Sequence, residues 1–397
     1  MPSHVRVLKA EKTEMATGQG EPPPMLKSAD QSERGVREQP CSIRRYRRGD
    51  ESQINELFNS VFGHGRDLAE WSWKFNDAPV EDVNLTVMAE SNERLVGQYA
   101  CIPMSFKCGQ EIVRTAQPVD NVIHPSFQAQ GIQKKMFEFW EKTVLPAERV
   151  VFSFGLPNRA AYAVGKRSLG YKDLCRLPTL YRRLNWRLAA RRRAPWLPRA
   201  GVEIVRFASA WCYRSLLSKS ASPAGPLRVE QAERFDSRVD RFWERVKGTY
   251  EILGVRSERY LNWRYVAKPG DRYHRLIGLR REEAVGFAVL KIVPEGDVLV
   301  GYIVDLISLP EPAVEDALVS AALETLCAER VDFSLCRFLK EDRVYRALCR
   351  HGFSERPDFG PVPVVFKVSP YGASRVEESA LKDVRRWHLS MGDSDGI

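Results

Sequence analysis

Apolar positions along the chain follow two rhythms, a helical one and an alternating one, and the changes between them mark the first elements. Residues 1–40 follow neither. Rich in Pro, Gly, Ser, Glu and Lys, they read as a disordered leader. A short strand from Cys41 precedes RRGDESQINELFNSVFG, where Ile54, Leu57, Phe58 and Val61 recur at helical spacing behind Asp50 or Ser52 as N-cap. ERLVGQYA then reads as a strand with a glycine where two backbones come close. VDNVI is a further strand, ending at His124-Pro125. The polar bend 126–131 leads from it into a helix starting near Gly131.

This order recurs downstream. Trp73-Lys74-Phe75, followed by Pro79, has a counterpart in Trp263-Arg264-Tyr265, followed by Pro269 at the same spacing. ERLVGQYA parallels EEAVGFAV, VDNVIHP parallels VDLISLP, and ERVVFSF parallels ERVDFSL. Each half closes on Gly-aromatic, Gly170-Tyr171 and Gly352-Phe353. The constant order points to duplication. Each unit reads as helices with adjacent strands, then strand, helix, strand, helix, which is a mixed α/β fold (α+β, mixed sheet) and not a parallel alternation. The expected organisation is a leader over 1–40, a first domain over 41–176, a basic helical connector over 177–226, a second domain over 227–365 and a tail over 366–397.

Charge refines this division. The formal net charge of +10 invites a phosphate-bearing partner. It concentrates in LYRRLNWRLAARRRAPWLPRA, where seven arginines (182, 183, 187, 191, 192, 193, 199) are interleaved with Leu184, Trp186, Leu188 and Trp196. Three readings stand open for this segment: a solvated connector, a basic amphipathic surface on an anionic membrane over 177–206, or nucleic-acid contact. The last is disfavoured because no nucleic-acid motif accompanies it. No stretch approaches the roughly 20 apolar residues of a membrane span, and the opening segment lacks a signal-peptide core, so the expected location is the cytoplasm, with peripheral membrane contact as the alternative. Eight cysteines without C-x-x-C or Cys/His spacing predict neither a disulfide framework nor a metal site. Nothing in the sequence sets the oligomeric state.

The chemistry gathers at VIHPSFQAQGIQKKMFEFW. Free amides at a helix N-terminus, with the positive end of the macrodipole behind them, make an anion site, and Gly131 lets a phosphate approach the backbone. Lys134 and Lys135 add positive charge or form a solvated face. Here the sequence resembles the GCN5-related N-acetyltransferases, the GNAT superfamily. The resemblance rests on an apolar strand ending in His-Pro, then Gln128-Ala129-Gln130-Gly131-Ile132-Gln133. A second signature is VVFSFGLPNRAAYAVGKRSLGY, with Asn158, Ala161, Gly170 and Tyr171. It covers residues 42 to about 175 well and about 227 to 360 weakly, and departs from the family pattern at Gln133, where a small residue is usual.

The resemblance implies two tandem GNAT-like acyl-CoA N-acyltransferase domains and a co-substrate, acetyl-CoA or other acyl-CoA, with no metal. Its pyrophosphate would lie on the amides of Gln130, Gly131, Ile132, Gln133 and Lys134 beside Gln128. Its pantetheine arm would pair with Val122, Ile123 and His124, near Asn158. The reaction would be direct attack of an amine on the thioester. Asp120 is the best-placed carboxylate for a general base, although Asp305 holds the same place in the other half and a shared structural role fits equally. His124 is the second candidate base. Many family members carry a Tyr four residues before the closing glycine; Lys166 stands there, and Tyr162 lies one helical turn earlier. In the second half, Glu311, Glu315 and Asp316 replace the glycine bend, so that unit reads as a degenerate copy that completes the acceptor cleft. The acceptor class is a small-molecule, sugar-type or amino-acid-type amine. A catalytically silent scaffold or a basic surface-binding module are the alternatives.

Overall fold

The computed structural model describes residues 40–63, 65–80, 83–194, 196–198, 200–208 and 227–396, so the expected leader, apart from Pro40, and the end of the expected connector lie outside the described residues. The chain divides into two compact units. Among the described residues, the first comprises those up to Cys175, with Pro363–Asp383 and 394–396, and the second those from Arg176 to Val362, with Val384–Asp393.

In the first unit, β1 (Ser42–Arg45), α1 (Glu51–Phe62) and α2 (Leu68–Phe75) precede β2 (Val87–Ser91), β3 (Arg94–Cys108) and β4 (Glu111–Ile123). Then come α3 (Ile132–Phe139), β5 (Val150–Gly155), α4 (Arg159–Ser168) and β6 (Lys172–Leu177). The periodicity of α1 is borne out: Ile54, Leu57 and Phe58 are buried, and the helix stops at Gly63 in the left-handed region. Strands β1 to β4 run antiparallel, and β5 joins β4 in parallel. Helix α3 packs Ile132, Met136 and Phe137, with Trp140 just beyond it, into a core with Tyr99 and Val150. That packing fixes the position of its N-terminus relative to β4.

The second unit adds β7 (Thr179–Arg183), α5 (Arg187–Arg193), β8 (Leu227–Ala232), α6 (Ser237–Val246), β9 (Ile252–Gly254) and α7 (Glu258–Tyr265). It continues with β10 (Tyr273–Arg280), β11 (Glu283–Glu295), β12 (Val298–Ser308), α8 (Pro312–Ala328), β13 (Phe333–Arg337), α9 (Arg343–Arg350) and β14 (Ser354–Glu355). Late in the chain lie β15 (Val362–Val368) and β16 (Trp387–His388). One sheet runs β1-β2-β3-β4-β5-β15-β6, and the other β14-β7-β13-β12-β11-β10-β8.

The parallel between these orders extends the repeat and corrects the expected boundaries. In each sheet the strand beyond the parallel pair comes from the other half of the sequence: β15 lies antiparallel to β5, and β7 antiparallel to β13. The expected connector therefore opens with a strand. Thr179 and Leu180 are buried in it, and its backbone satisfies the edge of β13. Its arginines mask this short pattern in the sequence. The expected tail over 366–397 likewise begins inside a sheet and later contributes residues 384–393 to the second unit.

Candidate active site

Strands β4 and β5 are paired only from Arg114↔Val150 to Ala116↔Ser153, and the ladder is not continued along β4 to Ile123. The two parallel strands thus part toward their C-terminal ends. At the end of β4, the His124 amide donates to the Val96 carbonyl at 2.8 Å, and Pro125–Phe127 forms a single 3-10 turn. Ala129 and Gly131 both take positive φ, 62° and 72°, which folds the bend back into α3. The first helical bond is Lys135 N–H to the Gly131 carbonyl at 3.0 Å, so the amides of Ile132, Gln133 and Lys134 stand at the open end of the helix. A Cβ built on Gly131 would meet nothing within 4 Å. The glycine is needed for its backbone conformation, and the space over it is free for an anion.

The side chains of the bend hold it together. Gln128 Nε2 donates to the Ile123 carbonyl at 3.3 Å, and Gln130 Nε2 to the Ser126 carbonyl at 3.1 Å. Lys134 is largely exposed, with only a loose 3.9 Å pairing to Glu138, so its charge is available to the mouth of the helix. Val122 is buried, while Ile123, His124 and Gln133 are half-buried. Asn158, expected beside the cofactor arm, caps α4: its Oδ1 accepts from Ala161 N–H at 2.9 Å. Helix α4 starts just past β5, so Asn158 stands at the far lip of the strand divergence. Tyr162 donates to Asp173 Oδ1 at 2.9 Å, and Lys166 holds the other oxygen of the same carboxylate at 2.9 Å. The residue in the family's tyrosine position and the tyrosine one turn earlier therefore serve a single aspartate on β6.

Asp120 has a different setting from that of an open general base. It is buried, at φ 51°, where the β3–β4 register slips between Gln98 and Ala100. Its carboxylate accepts from Arg66 Nη1 at 2.8 Å and takes Lys74 Nζ at 3.0 Å on both oxygens. Lys74 also reaches Asp395 at 3.1 Å. Burial alone would lower Lys74, but Asp120 and Asp395 hold it above the usual lysine value. Burial pulls Arg66 below its usual value against the attraction of Asp120. The structure therefore supports the structural alternative for Asp120, a charge partner in the core.

The second unit repeats this arrangement. Asp305 accepts from Arg256 Nε at 2.8 Å, with both side chains fully buried, and Tyr265 donates to it at 3.0 Å. Arg256 also binds Asp393 at 2.8 Å. Arg66 and Arg256 were missed in the sequence. The signal lay upstream of the matched tripeptides, since each arginine stands seven residues before Trp73 or Trp263 and just before the N-cap of its helix.

The second unit's own strand divergence is filled. Strands β12 and β13 pair from Val300↔Phe333 to Ile303↔Cys336. Beyond that point Phe338 bridges to Ser390, whose hydroxyl donates to Asp305 Oδ1 at 2.9 Å. A Cβ on Gly392 would strike the Tyr265 hydroxyl and come to 2.9 Å of Asp305 Oδ2, so residues 390–393 are closely packed there. The α8 entrance has Pro312 at its first position. Glu311 is paired to Arg280, Glu315 is buried against Arg343, and Asp316 is paired to Arg350. No glycine bend and no run of free amides faces this cleft.

Among the described residues, no group of three or more His, Cys, Asp or Glu is arranged to hold a metal, and no helix is long and apolar enough to cross a membrane. An open cavity of about 700 Å³ lined by Glu141, Ser369, Arg375 and Glu378 lies beyond the C-terminal end of α3, more than two turns from the bend.

Residues 42–172 match the Acetyltransferase (GNAT) domain. Among solved structures, the chain is similar to a GCN5-related N-acetyltransferase from Anabaena variabilis (TM-score 0.57, 11% identity, covering 83% of this chain and 73% of that one). It is also similar to a conserved protein of unknown function, probable N-acyltransferase, from Enterococcus faecalis (TM-score 0.56, 11% identity, 84% and 73%). A third similar structure is Saccharomyces cerevisiae N-myristoyltransferase with bound myristoyl-CoA (TM-score 0.50, 10% identity, 88% and 82%). At these identities the likeness is one of fold. No curated protein matches the chain by sequence.

Proposed function

We propose that this chain, whose residues 42–172 are a GNAT acetyltransferase domain, transfers an acyl group from acyl-CoA to an amine, with its working site in the first unit. The observation that carries this reading is the strand divergence opening beside the bare N-terminus of α3. A pyrophosphate fits over the amides of Ile132, Gln133 and Lys134, where Gly131 leaves open space. An extended pantetheine arm fits along the edge that β4 leaves unpaired on its β5 side, at Val122, Ile123 and the following His124, as an added strand would. Gln133 flanks this site with a half-buried side chain.

Acyl-CoA supplies an activated thioester. The amine nitrogen attacks its carbonyl carbon, the C–N bond forms, the C–S bond breaks, the amine loses a proton and the thiolate gains one. Of the three candidates for moving that proton, Asp120 is committed to Arg66 and Lys74, and Tyr162 to Asp173. His124 remains. Its Nδ1 accepts only a long 3.3 Å bond from Ser126 N–H, a weak tie that a change of tautomer releases. Removing a general base costs about 10²–10⁴ in rate. His124→Gln is therefore expected to lower kcat by at least about tenfold and leave acyl-CoA affinity unchanged, as read by steady-state kinetics and titration. Equal kcat in the variant would remove His124 from the mechanism.

A screen of amines with thiol release as readout tests the activity itself. Running it with both acetyl-CoA and myristoyl-CoA covers one short and one long acyl chain, after the two kinds of transferase whose fold the chain resembles. Stabilisation by acyl-CoA without thiol release from any amine would favour a silent binding protein. The engagement of Tyr162 and Lys166 on Asp173, away from proton-donor duty, is the observation on that side.

A further inference from the structure

The basic segment after β7 is not absorbed by acyl transfer, and its surface is the reverse of an ordinary helix exterior. In the helix over 200–208, Ala200, Ile204, Phe207 and Ala208 are exposed and lie on one face at positions i, i+4, i+7 and i+8. Val202 is buried on the other side, at 3% exposure. The apolar stripe therefore faces outward. Trp196, just before this helix, is 79% exposed, Ile204 67% and Phe207 49%. Among the described residues, seven large hydrophobic side chains are exposed, and four of them, Trp186, Trp196, Ile204 and Phe207, fall between positions 186 and 207. Such clustering on an otherwise well-packed chain marks an interaction surface.

The charge of the same stretch identifies the partner. Residues 177–208 contain eight arginines and a single acidic residue, Glu203. Three of the arginines serve the fold: Arg187 is buried against Asp332 at 2.5 Å, Arg191 pairs with Asp297, and Arg206 binds the Arg330 carbonyl and Glu203. Arg183 lies over the Trp186 ring at 4.8 Å, and Arg193 is exposed. Aromatic and aliphatic side chains set among arginines match the boundary between lipid headgroups and acyl chains, where tryptophan bodies settle and arginines meet anionic headgroups. A nucleic acid would call for stacking platforms, which Ile204 and the two alanines do not provide.

We infer that residues 186–208 dock this protein on an anionic membrane surface, with Trp196, Ile204 and Phe207 entering the headgroup boundary and the arginines not engaged in the fold, Arg193 among them, meeting the lipid phosphates. This rests on the surface alone and is independent of the acyl-transfer reading. Flotation of the full chain with phosphatidylcholine vesicles, with and without phosphatidylglycerol, is the test. The chain should float only with the anionic vesicles. Raising salt from about 0.1 M to about 1 M, which shortens the Debye length from about 10 Å to about 3 Å, should weaken binding at least tenfold. The triple variant Trp196→Ser, Ile204→Ser, Phe207→Ser should bind at least tenfold more weakly, with a melting temperature little changed because Trp196 and Ile204 are largely exposed and Phe207 gives up a surface contact with Arg330. Arg192→Gln with Arg193→Gln should also weaken it, and serves as the test should the triple variant melt early. Failure of the wild type to float overturns the inference, as does equal flotation of both variants. So does a wild-type dimer that the triple variant converts to a monomer without any vesicle binding, or retention of RNA by a wild type that ignores vesicles.

Discussion

Gly131→Asp is expected to abolish stabilisation by acyl-CoA, whereas Gly131→Asn retains most of it. Both substitutions place a residue that tolerates the left-handed region at a φ of 72°, so their backbone costs are alike. Both side chains enter open space. They differ by one negative charge held over the amides of Ile132, Gln133 and Lys134, where the helix dipole favours an anion and a second anion would be repelled. With ligand at about 100 times Kd, binding stabilises a protein by about 2.7 kcal/mol, and each tenfold loss of affinity removes about 1.4 kcal/mol of that. The aspartate variant should lose at least tenfold more affinity than the asparagine variant in a thermal-shift titration. Equal shifts would mean that the phosphates bind elsewhere.

The second large effect concerns folding. Asp120→Asn leaves Arg66 and Lys74 buried with Asp395 on Lys74 and the charge of Glu70 acting on Arg66 to balance them, and breaking a buried pair on one side costs about 3–5 kcal/mol. Asp305→Asn strands Arg256 in the same way, with Asp393 as its remaining partner. Against a total stability of about 5–15 kcal/mol, either loss lowers the denaturation midpoint clearly. If Asp120 were instead a dispensable base, Asp120→Asn would lose turnover with its midpoint intact, while Asp305→Asn alone would unfold early. Urea denaturation of the two variants side by side separates the cases.

The strand-to-helix bend was legible because local rules write it: an alternating apolar strand, His124-Pro125, and a glycine that must adopt positive φ before a helix. The duplicated order of elements was legible for the same reason. What the sequence concealed depends on distant partners. Asp120 looks like a free carboxylate until Arg66 and Lys74, 54 and 46 residues away, close on it. Strand β7 is too short and too rich in arginine to announce itself, and its pairing with β13 spans some 150 residues. From the sequence, the second unit's cleft looks lost through the absent glycine and through Glu311, Glu315 and Asp316. In the fold, those charges are neutralised within the protein, and Ser390 and Gly392 from near the end of the chain fill the space between the diverging strands.

That contrast between an open first cleft and a filled second one is the centre of this account. Calorimetric titration of the full chain with acyl-CoA tests it most directly. Saturable binding at one site per chain is expected, and none in Gly131→Asp. Two sites per chain, or one site that persists at full strength in Gly131→Asp, would contradict it.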